Sequence, residues 1–220
     1  NRENKGKNTL LYQLWRESVS GFGRSEASKA AWAARKLGMG TSTLRAKDAM
    51  RVQLSALTEA ERAQLTQYTG FDATAINSAI RHGRINAATR EKIAVLDSAL
   101  AKGTVPNNIT LYRETSLSFL EFDNGAQPDK NTIGNFIGQT IPNRIFTSTS
   151  FRQLGLPGRD TVIELHVPAG YQGALYIRDL AHPQYKLQDE VLFARGLKYR
   201  LLSVDTSGDK VYIKAEVIKP

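Results

Sequence analysis

The first half of the chain repeats apolar residues every three to four positions, which is the spacing of an amphipathic helix. Over residues 9–20, one helical face collects the apolar side chains of Leu10, Leu11, Leu14, Trp15 and Val19. A second helix is predicted from Ser25 to Leu37, where Gly38 ends it, and a third over residues 43–56. The pattern therefore predicts a helical N-terminal half.

A capping box predicts the start of the next helix. The Thr58 hydroxyl and the Glu61 carboxylate are spaced so that each satisfies the other's backbone N–H, which opens a helix reaching Tyr68. Residues 71–82 and 86–102 repeat the helical spacing, with glycines at positions 83 and 103 after them. Nothing before residue 103 strongly suggests a strand.

After Val105 and Pro106 the pattern changes to short runs rich in β-branched and aromatic residues. Strands are predicted over residues 110–115, 144–150, 161–167, 173–177, 190–194, 199–205 and 210–218. The turn at 206–209 joins the last two as a hairpin, and residues 119–141 are predicted to be helical or irregular. Helices followed by strands predict one α+β domain over residues 1–220, with 1–103 mostly helical and 104–220 mostly β.

Composition removes several classes of chemistry. The chain has 220 residues, 41% of them hydrophobic, and no apolar run approaches the roughly 20 residues that cross a bilayer. There is no cysteine, so disulfides and cysteine-ligated zinc are excluded, and His82, His166 and His182 form no zinc-hydrolase motif. The chain begins at Asn1 without an initiator Met, so we expect a mature or excised form.

The positive charge is concentrated in the helical half. The net charge is +9 and the pI is about 9.8. Residues 1–102 carry 17 Lys and Arg against 9 Asp and Glu, whereas residues 103–220 carry 13 against 12. Such a surface can bind nucleic acid, an anionic membrane or an acidic protein, or simply keep the protein soluble. The basic residues are dispersed and match no nucleic-acid motif, which leaves these alternatives open.

Three short motifs remain as candidates for chemistry, and the first two lie on strands. Arg113 shares a strand face with Leu111, and a buried guanidinium needs an anionic partner, either a phosphate or a neighbouring glutamate. Alternation along the next motif puts Ser148 and Ser150 on one side of the strand and Thr149 on the other. Their hydroxyls can orient a carboxylate, or they can simply line a polar edge.

The third motif is Gln188-Asp189-Glu190, which precedes an apolar strand. Gln188 and Glu190 are predicted to point the same way, because side chains two apart on an extended chain share a face. A carboxylate at that place can hold a sugar hydroxyl and stabilise positive charge that develops on a ribose. The alternative interpretation is a solvated acidic loop.

Taken in order, these motifs resemble the Arg, Ser-Thr-Ser and Gln-x-Glu signature of bacterial mono-ADP-ribosyltransferase toxins. The match is closest to the Rho-modifying C-three exoenzyme family, and it covers most of the chain. Tyr185 stands five residues before Glu190, where that family carries the aromatic of its target-recognition loop. The segment containing Thr69, Asn77 and Arg81 resembles the helical stretch that contributes NAD contacts there.

The chain departs from this family at two positions. The family's phosphate–nicotinamide loop carries Phe-x-x-Arg after the Ser-Thr-Ser strand, and this chain has Leu156 and Arg159 at the corresponding places. Leucine cannot stack as the aromatic does, so we expect weaker NAD binding. Glu114 follows Arg113 where the family usually has glycine, which adds a carboxylate beside the expected nicotinamide site.

The resemblance implies a fold, a reaction and a set of roles. It implies the ADP-ribosyltransferase toxin fold, with two packed sheets in the β half, and transfer of ADP-ribose from NAD to an asparagine of a Rho-family small GTPase, with accompanying NAD hydrolysis. Glu190 would be catalytic, Ser148 would orient it, and Gln188 would select asparagine because an amide pairs with an amide. Tyr185 would contact the target. The implied NAD contacts are Arg113, Arg159, Asn77, Arg81, Thr69, Glu114, Ser148 and Glu190.

The resemblance also implies a setting. We expect a monomer secreted by a bacterium that acts in the host-cell cytosol, with no metal, no nucleic acid and no stable membrane insertion. Three alternatives stay open. One is a transferase of the same superfamily with another target or mainly hydrolytic activity, and another is a basic module that binds nucleic acid or anionic membrane without catalysis. The third is a silent docking domain of a binary toxin, although such domains lose the glutamate that this chain keeps at Glu190.

Overall fold

A computed structural model describes residues 41–122 and 124–219. The chain divides into two compact units, residues 1–44 and 45–220, and the site lies in the second. The helices predicted over residues 9–20 and 25–37 lie outside the described residues. The described helices are α1 (Thr41–Gln53), α2 (Glu59–Gln67), α3 (Ala73–Arg81) and α4 (Ala87–Leu100). The four helices predicted from residue 43 onward are thus confirmed, each within a few residues.

The helix starts follow from side-chain caps. The Thr58 hydroxyl accepts from the Glu61 N–H at 3.2 Å and a Glu61 carboxylate oxygen accepts from the Thr58 N–H at 2.8 Å, which confirms the capping box of α2. Asn86 caps α4 by accepting from the Thr89 N–H at 2.8 Å. One π-helical turn, Tyr68–Asp72, joins α2 to α3. These local bonds explain why the helix boundaries were readable from sequence.

The second half of the chain forms one mostly antiparallel sheet. Its strands are β1 (Ile109–Thr115), β2 (Thr140–Asn143), β3 (Thr147–Ser150), β4 (Thr161–Val167), β5 (Ala174–Tyr176), β6 (Glu190–Phe193), β7 (Leu197–Asp205) and β8 (Val211–Val217). The strand order is β2-β7-β8-β4-β1-β3-β6-β5, and β4 and β8 pair in parallel. The predicted hairpin is confirmed, since β7 and β8 are antiparallel neighbours.

The two packed sheets implied by the family are the two halves of this single sheet. Strands β1 and β3 are joined at one register pair, Tyr112 with Ser150. On β6, Val191 and Phe193 pack into a core shared with β1, β4, β7 and β8, whereas Leu192 packs into a second core with the helices. Because successive residues of a strand face opposite sides, the β3-β6-β5 half lies between the other strands and helices α2 to α4, whereas Ala46 and Met50 of α1 pack into the first core.

One strand was missed by sequence pattern. Residues 119–141 were predicted to be helical or irregular, but β2 begins at Thr140 and pairs with β7. Pro142 sits in β2, opposite Lys198. Proline lacks a backbone N–H, so it is tolerated on an edge strand, and β2 lies at the sheet edge. The proline and the short length hid this strand from a search for alternating apolar residues.

Candidate active site

A cleft of about 520 Å³ opens between α3, the strands β1 and β3, and the start of β6. The sequence-predicted residues that line it are Asn77, Arg81, Arg113, Glu114, Ser148, Arg159, Gln188 and Glu190. Leu156 and the phenyl ring of Phe119 complete one wall. The fold therefore brings the three motifs together, although they are separated by up to 77 positions in the chain.

Glu190 is the buried carboxylate of this cleft. It is the first residue of β6, pairs in register with Ser150 of β3, and is 7% exposed. Burial raises the pKa of Glu190 to about 6, and a hydrogen bond with Ser148 lowers it in part. Catalytic carboxyl groups often lie in polar clefts and have a pKa raised toward neutral pH.

The Ser-Thr-Ser strand has the alternation predicted for it. Ser148 is exposed in the cleft, whereas Thr149 is buried and its hydroxyl donates to the Val191 carbonyl at 2.8 Å. Ser150 lies beside the strand start, and its hydroxyl accepts from the Arg152 N–H at 3.2 Å. All three residues line the cleft: Ser148 hydrogen-bonds Glu190, Ser150 pairs with it in register, and Thr149 ties β3 to β6.

Gln188 and Glu190 both reach the cleft, but not by strand alternation. Gln188 ends a short 3-10 turn, Pro183–Gln188, and Asp189 adopts a left-handed conformation with φ 56° and ψ 44° before the strand begins. The alternative of a solvated acidic loop is wrong for Asp189, which is 7% exposed. Its carboxylate accepts from Lys47 of α1 and from the Tyr176 hydroxyl of β5.

Arg113 is half-buried at the back of the cleft. Its guanidinium donates to the Ser148 carbonyl at 3.1 Å. Burial lowers the pKa of Arg113, and the nearby charges of Arg81 and Arg159 lower it further. Three like charges repel one another, so a bound anion among them would be favourable.

Glu114 lines the cleft and holds its outer loop. Its carboxylate accepts backbone N–H groups of three successive residues, Leu154, Gly155 and Leu156, the second at 2.8 Å. The side chain is 3% exposed. Although burial opposes it, these bonds lower the pKa of Glu114 below its ordinary value. The glutamate that departs from the family's glycine therefore fixes the loop that carries Leu156 and Arg159.

The helical wall of the cleft contributes Asn77 and Arg81. The Asn77 amide donates to the Tyr68 hydroxyl at 3.0 Å and to the Phe146 carbonyl at 3.2 Å, and its oxygen accepts from the Phe146 N–H. This side chain ties α3 to the start of β3. Arg81 is exposed, with its guanidinium 5.2 Å from the centre of the Phe119 ring.

Thr69, an implied NAD contact, lies outside the cleft lining, and so does Tyr185, which was predicted to contact the target. The Thr69 hydroxyl donates to the Thr66 carbonyl and accepts from the His182 N–H, so it joins the π-helical turn to the segment before Gln188. The ring of Tyr185 lies 6.1 Å from that of His182 on the turn leading to the cleft mouth. Beside it, Leu187 is 73% exposed.

Several residues at the site were not found from the sequence. Arg152 lines the cleft and donates to the Leu187 carbonyl, which ties the end of β3 to the turn that carries Gln188. Its only sequence signal was its place two residues after Ser150. Lys47 had no signal at all, since it is one of many basic residues on the helices. In the described part of the chain, no group of three or more His, Cys, Asp or Glu side chains is placed to hold a metal ion.

Fold and cleft together are those of an NAD-dependent ADP-ribosyltransferase. The chain belongs to the ADP-ribosyltransferase exoenzyme family, whose model matches residues 29–220. It is 27% identical to the epidermal cell differentiation inhibitor of Staphylococcus aureus, over 72% of this chain and 74% of that protein.

Solved structures agree with the family assignment. Plx2a, an ADP-ribosyltransferase toxin from Paenibacillus larvae, is similar with a TM-score of 0.67 and 26% identity, over 89% of this chain and 98% of that chain. C3stau2 from S. aureus, solved with NAD, shares the fold at a TM-score of 0.66 and 22% identity, over 81% of this chain and 95% of that chain. The resemblance to C-three exoenzymes and the expected fold are confirmed.

Proposed function

We propose that this enzyme transfers ADP-ribose from NAD to an asparagine side chain of a Rho-family small GTPase, and hydrolyses NAD at the same site. The observation that carries this proposal is the pairing of a buried carboxylate, Glu190, with a neutral amide, Gln188, at the mouth of one cationic cleft. The carboxylate serves the donor, and the amide faces the acceptor.

The cleft suits a dinucleotide. Its volume of about 520 Å³ lies within the usual range for small-molecule sites. Arg81, Arg113 and Arg159 line one part of it, and a guanidinium fork matches the oxygens of a pyrophosphate. NAD brings two negative charges to these arginines, and it supplies a glycosidic bond whose cleavage releases nicotinamide.

Glu190 acts in its ionised form. A carboxylate can accept a hydrogen bond from a ribose hydroxyl and stabilise positive charge that develops on the sugar as the bond to nicotinamide lengthens. Charge stabilisation of this kind typically contributes about 10²–10³ in rate. The hydrogen bond from Ser148 favours the ionised form and orients the carboxylate.

Gln188 selects the acceptor. Its amide carries both a donor and an acceptor, so it can pair with the amide of an asparagine, whereas a glutamate in its place would favour a cationic guanidinium. The half-buried ring of Tyr185 and the exposed Leu187 lie on the same turn, where they would contact a target protein by apolar packing. The resemblance to Rho-modifying C-three exoenzymes supports a Rho-family target.

The setting follows the relatives in outline. Plx2a is described as a toxin, which supports the proposal that this protein is a secreted virulence factor. We propose that it acts as a monomer in the cytosol of a host cell. No helix in residues 41–122 or 124–219 is long and apolar enough to cross a membrane.

Labelled NAD tests the proposal directly. The enzyme is incubated with a purified Rho-family GTPase while free nicotinamide is measured in parallel, and the Glu190→Gln variant is the control. We expect label on an asparagine of the GTPase, with both products lost in Glu190→Gln. Release of nicotinamide without label would refute the target, and label on the GTPase from Glu190→Gln would refute the catalytic assignment.

A second variant separates donor chemistry from acceptor choice. Gln188→Glu should lose transfer to asparagine but keep nicotinamide release, because it leaves Glu190 and the arginines in place. Tandem mass spectrometry of the labelled GTPase identifies the modified residue. Unchanged labelling of the same asparagine by Gln188→Glu would show that Gln188 does not select the target.

A further inference from the structure

The residue between Gln188 and Glu190 has an unusual backbone. Among the described residues, Asp189 is the non-glycine residue with positive φ, at 56°. Aspartate tolerates this left-handed region better than most residues. The conformation matters at this position because it turns the chain from the right-handed 3-10 turn into β6. A different backbone at Asp189 would aim Gln188 and Glu190 in different directions.

The carboxylate of Asp189 is held on both oxygens. One oxygen accepts from the ammonium group of Lys47, and the other accepts from the hydroxyl of Tyr176. Lys47 and Asp189 are 6% and 7% exposed, and Tyr176 is 1% exposed. A charged pair removed from water to this extent persists only in good geometry, so its members have little freedom to move.

Lys47 also touches the other catalytic strand. Its ammonium group lies 4.9 Å from the centre of the Phe151 ring, which follows Ser150 directly, and 5.8 Å from the Tyr176 ring. The two rings pack edge to face at 5.4 Å. A single cation from α1, 142 positions away from Asp189, thereby contacts the end of the Ser-Thr-Ser strand and the centre of the Gln-x-Glu segment.

We propose that Lys47, Asp189 and Tyr176 are positioning residues that hold Gln188 and Glu190 in the relative orientation required for ADP-ribose transfer. The inference rests on the proposed function of Gln188 and Glu190. None of the three needs to touch NAD or the target, because they act through the backbone at Asp189. Tyr176 is also tied to β6 through the backbone, since it pairs in register with Val191, the residue after Glu190.

The same helix offers a matched control. Arg51 lies one helical turn after Lys47 and pairs with Asp179 at 2.8 Å, but both of these side chains are more than 40% exposed. Exposed pairs contribute little to stability and do not fix a backbone. Arg51→Met therefore removes a cation from α1 without disturbing the site.

The experiment compares Lys47→Met, Asp189→Asn and the double variant with the wild type and Arg51→Met. ADP-ribose transfer to the Rho-family GTPase and nicotinamide release are both measured across NAD concentrations to separate kcat from KM, and thermal unfolding is followed in parallel. We expect each single variant to lower kcat by about tenfold to a hundredfold with KM for NAD within about twofold, because small misplacements of reacting groups cost rate in this range. Arg51→Met should match the wild type.

The double variant distinguishes positioning from mere stability. It leaves no unpaired buried charge, so its midpoint of thermal unfolding should recover toward the wild-type value. Its kcat should stay low, because the ion pair of Lys47 with Asp189 is still absent. Recovery of kcat together with stability would overturn the inference, as would single variants with kcat within about twofold of the wild type.

A second readout does not depend on turnover. Hydrogen–deuterium exchange over residues 183–193 should be faster in Lys47→Met than in the wild type or Arg51→Met, because the anchored turn opens more often. Unchanged exchange over this segment would overturn the inference. A wild-type protein that releases no nicotinamide would instead refute the proposed function. The exchange result would still test whether Lys47 holds the segment over residues 183–193.

Discussion

Replacement of Glu190 by glutamine should make the protein more stable while it removes activity. The wild-type fold buries the Glu190 carboxylate, for which we propose an ionised catalytic form, and burial raises its pKa from an ordinary value of 4.5 to about 6. Glutamine has nearly the same shape and carries no charge. The variant therefore removes the cost of burying the negative charge and keeps the packing.

The magnitude follows from the displacement of the pKa. A change in proton affinity costs about 1.4 kcal/mol for each tenfold step, so the displacement from 4.5 to about 6 corresponds to about 2 kcal/mol. Between these two values the unfolded chain has released the proton and the folded chain still holds it. The wild-type free energy of unfolding therefore falls as the pH rises through this window, and it stays lower above it.

Urea unfolding of both proteins from about pH 4 to about pH 7.5 measures the difference. Other titrating groups largely cancel between the two proteins, so Glu190→Gln should equal the wild type near pH 4 and exceed it by about 2 kcal/mol near pH 7.5. The exposed Glu121, replaced by glutamine, is the control and should change stability by less than about 0.5 kcal/mol at every pH. A difference between Glu190→Gln and wild type that does not vary with pH would refute the reasoning.

Other consequences can be measured separately. In the wild type, kcat should fall on the acid side with an apparent pKa near 6. Ser148→Ala should move this acid limb to higher pH, because the hydrogen bond that favours ionised Glu190 is lost. A pH–rate profile that does not move would contradict this. Glu114→Gln should weaken NAD binding about fivefold, because it loosens the loop whose N–H groups Glu114 holds. Fluorescence titration measures the dissociation constant, and an unchanged value would show that these bonds do not support NAD binding. Thr58→Ala should lower the free energy of unfolding by about 1 kcal/mol in urea titrations through loss of the α2 cap, and no loss would show that the cap contributes nothing.

The sequence predicted those features that depend on near neighbours. The cap at Thr58 and the alternation of Ser148 and Ser150 were readable because the partners lie within a few positions, where local geometry decides the outcome. Gln188 and Glu190 were placed together correctly for a wrong reason, since a left-handed residue and not an extended strand brings them to one cleft.

Features that depend on distant partners were not predictable. The ion pair of Lys47 with Asp189 joins a helix to a loop 142 positions later. No sequence pattern around either residue predicts the other as its partner. Asn77 lines the cleft, and the bonds of its amide to the Phe146 carbonyl and the Tyr68 hydroxyl had no signal in the sequence. Side-chain roles of this kind are decided by tertiary contacts, which periodicity and motif spacing do not record.

The Glu114 carboxylate, which accepts from the N–H groups of Leu154, Gly155 and Leu156, orders the outer loop of the cleft before any ligand binds. Three successive backbone N–H groups that converge on one point are a usual place for a bound anion, and in this chain a covalently attached carboxylate already occupies it. The loop therefore carries its own counter-ion, and the entropy of fixing its backbone is lost when the protein folds and not when the dinucleotide arrives. We expect a loop ordered in advance to offset part of the weaker NAD binding predicted from Leu156, which stands where the family carries a stacking aromatic.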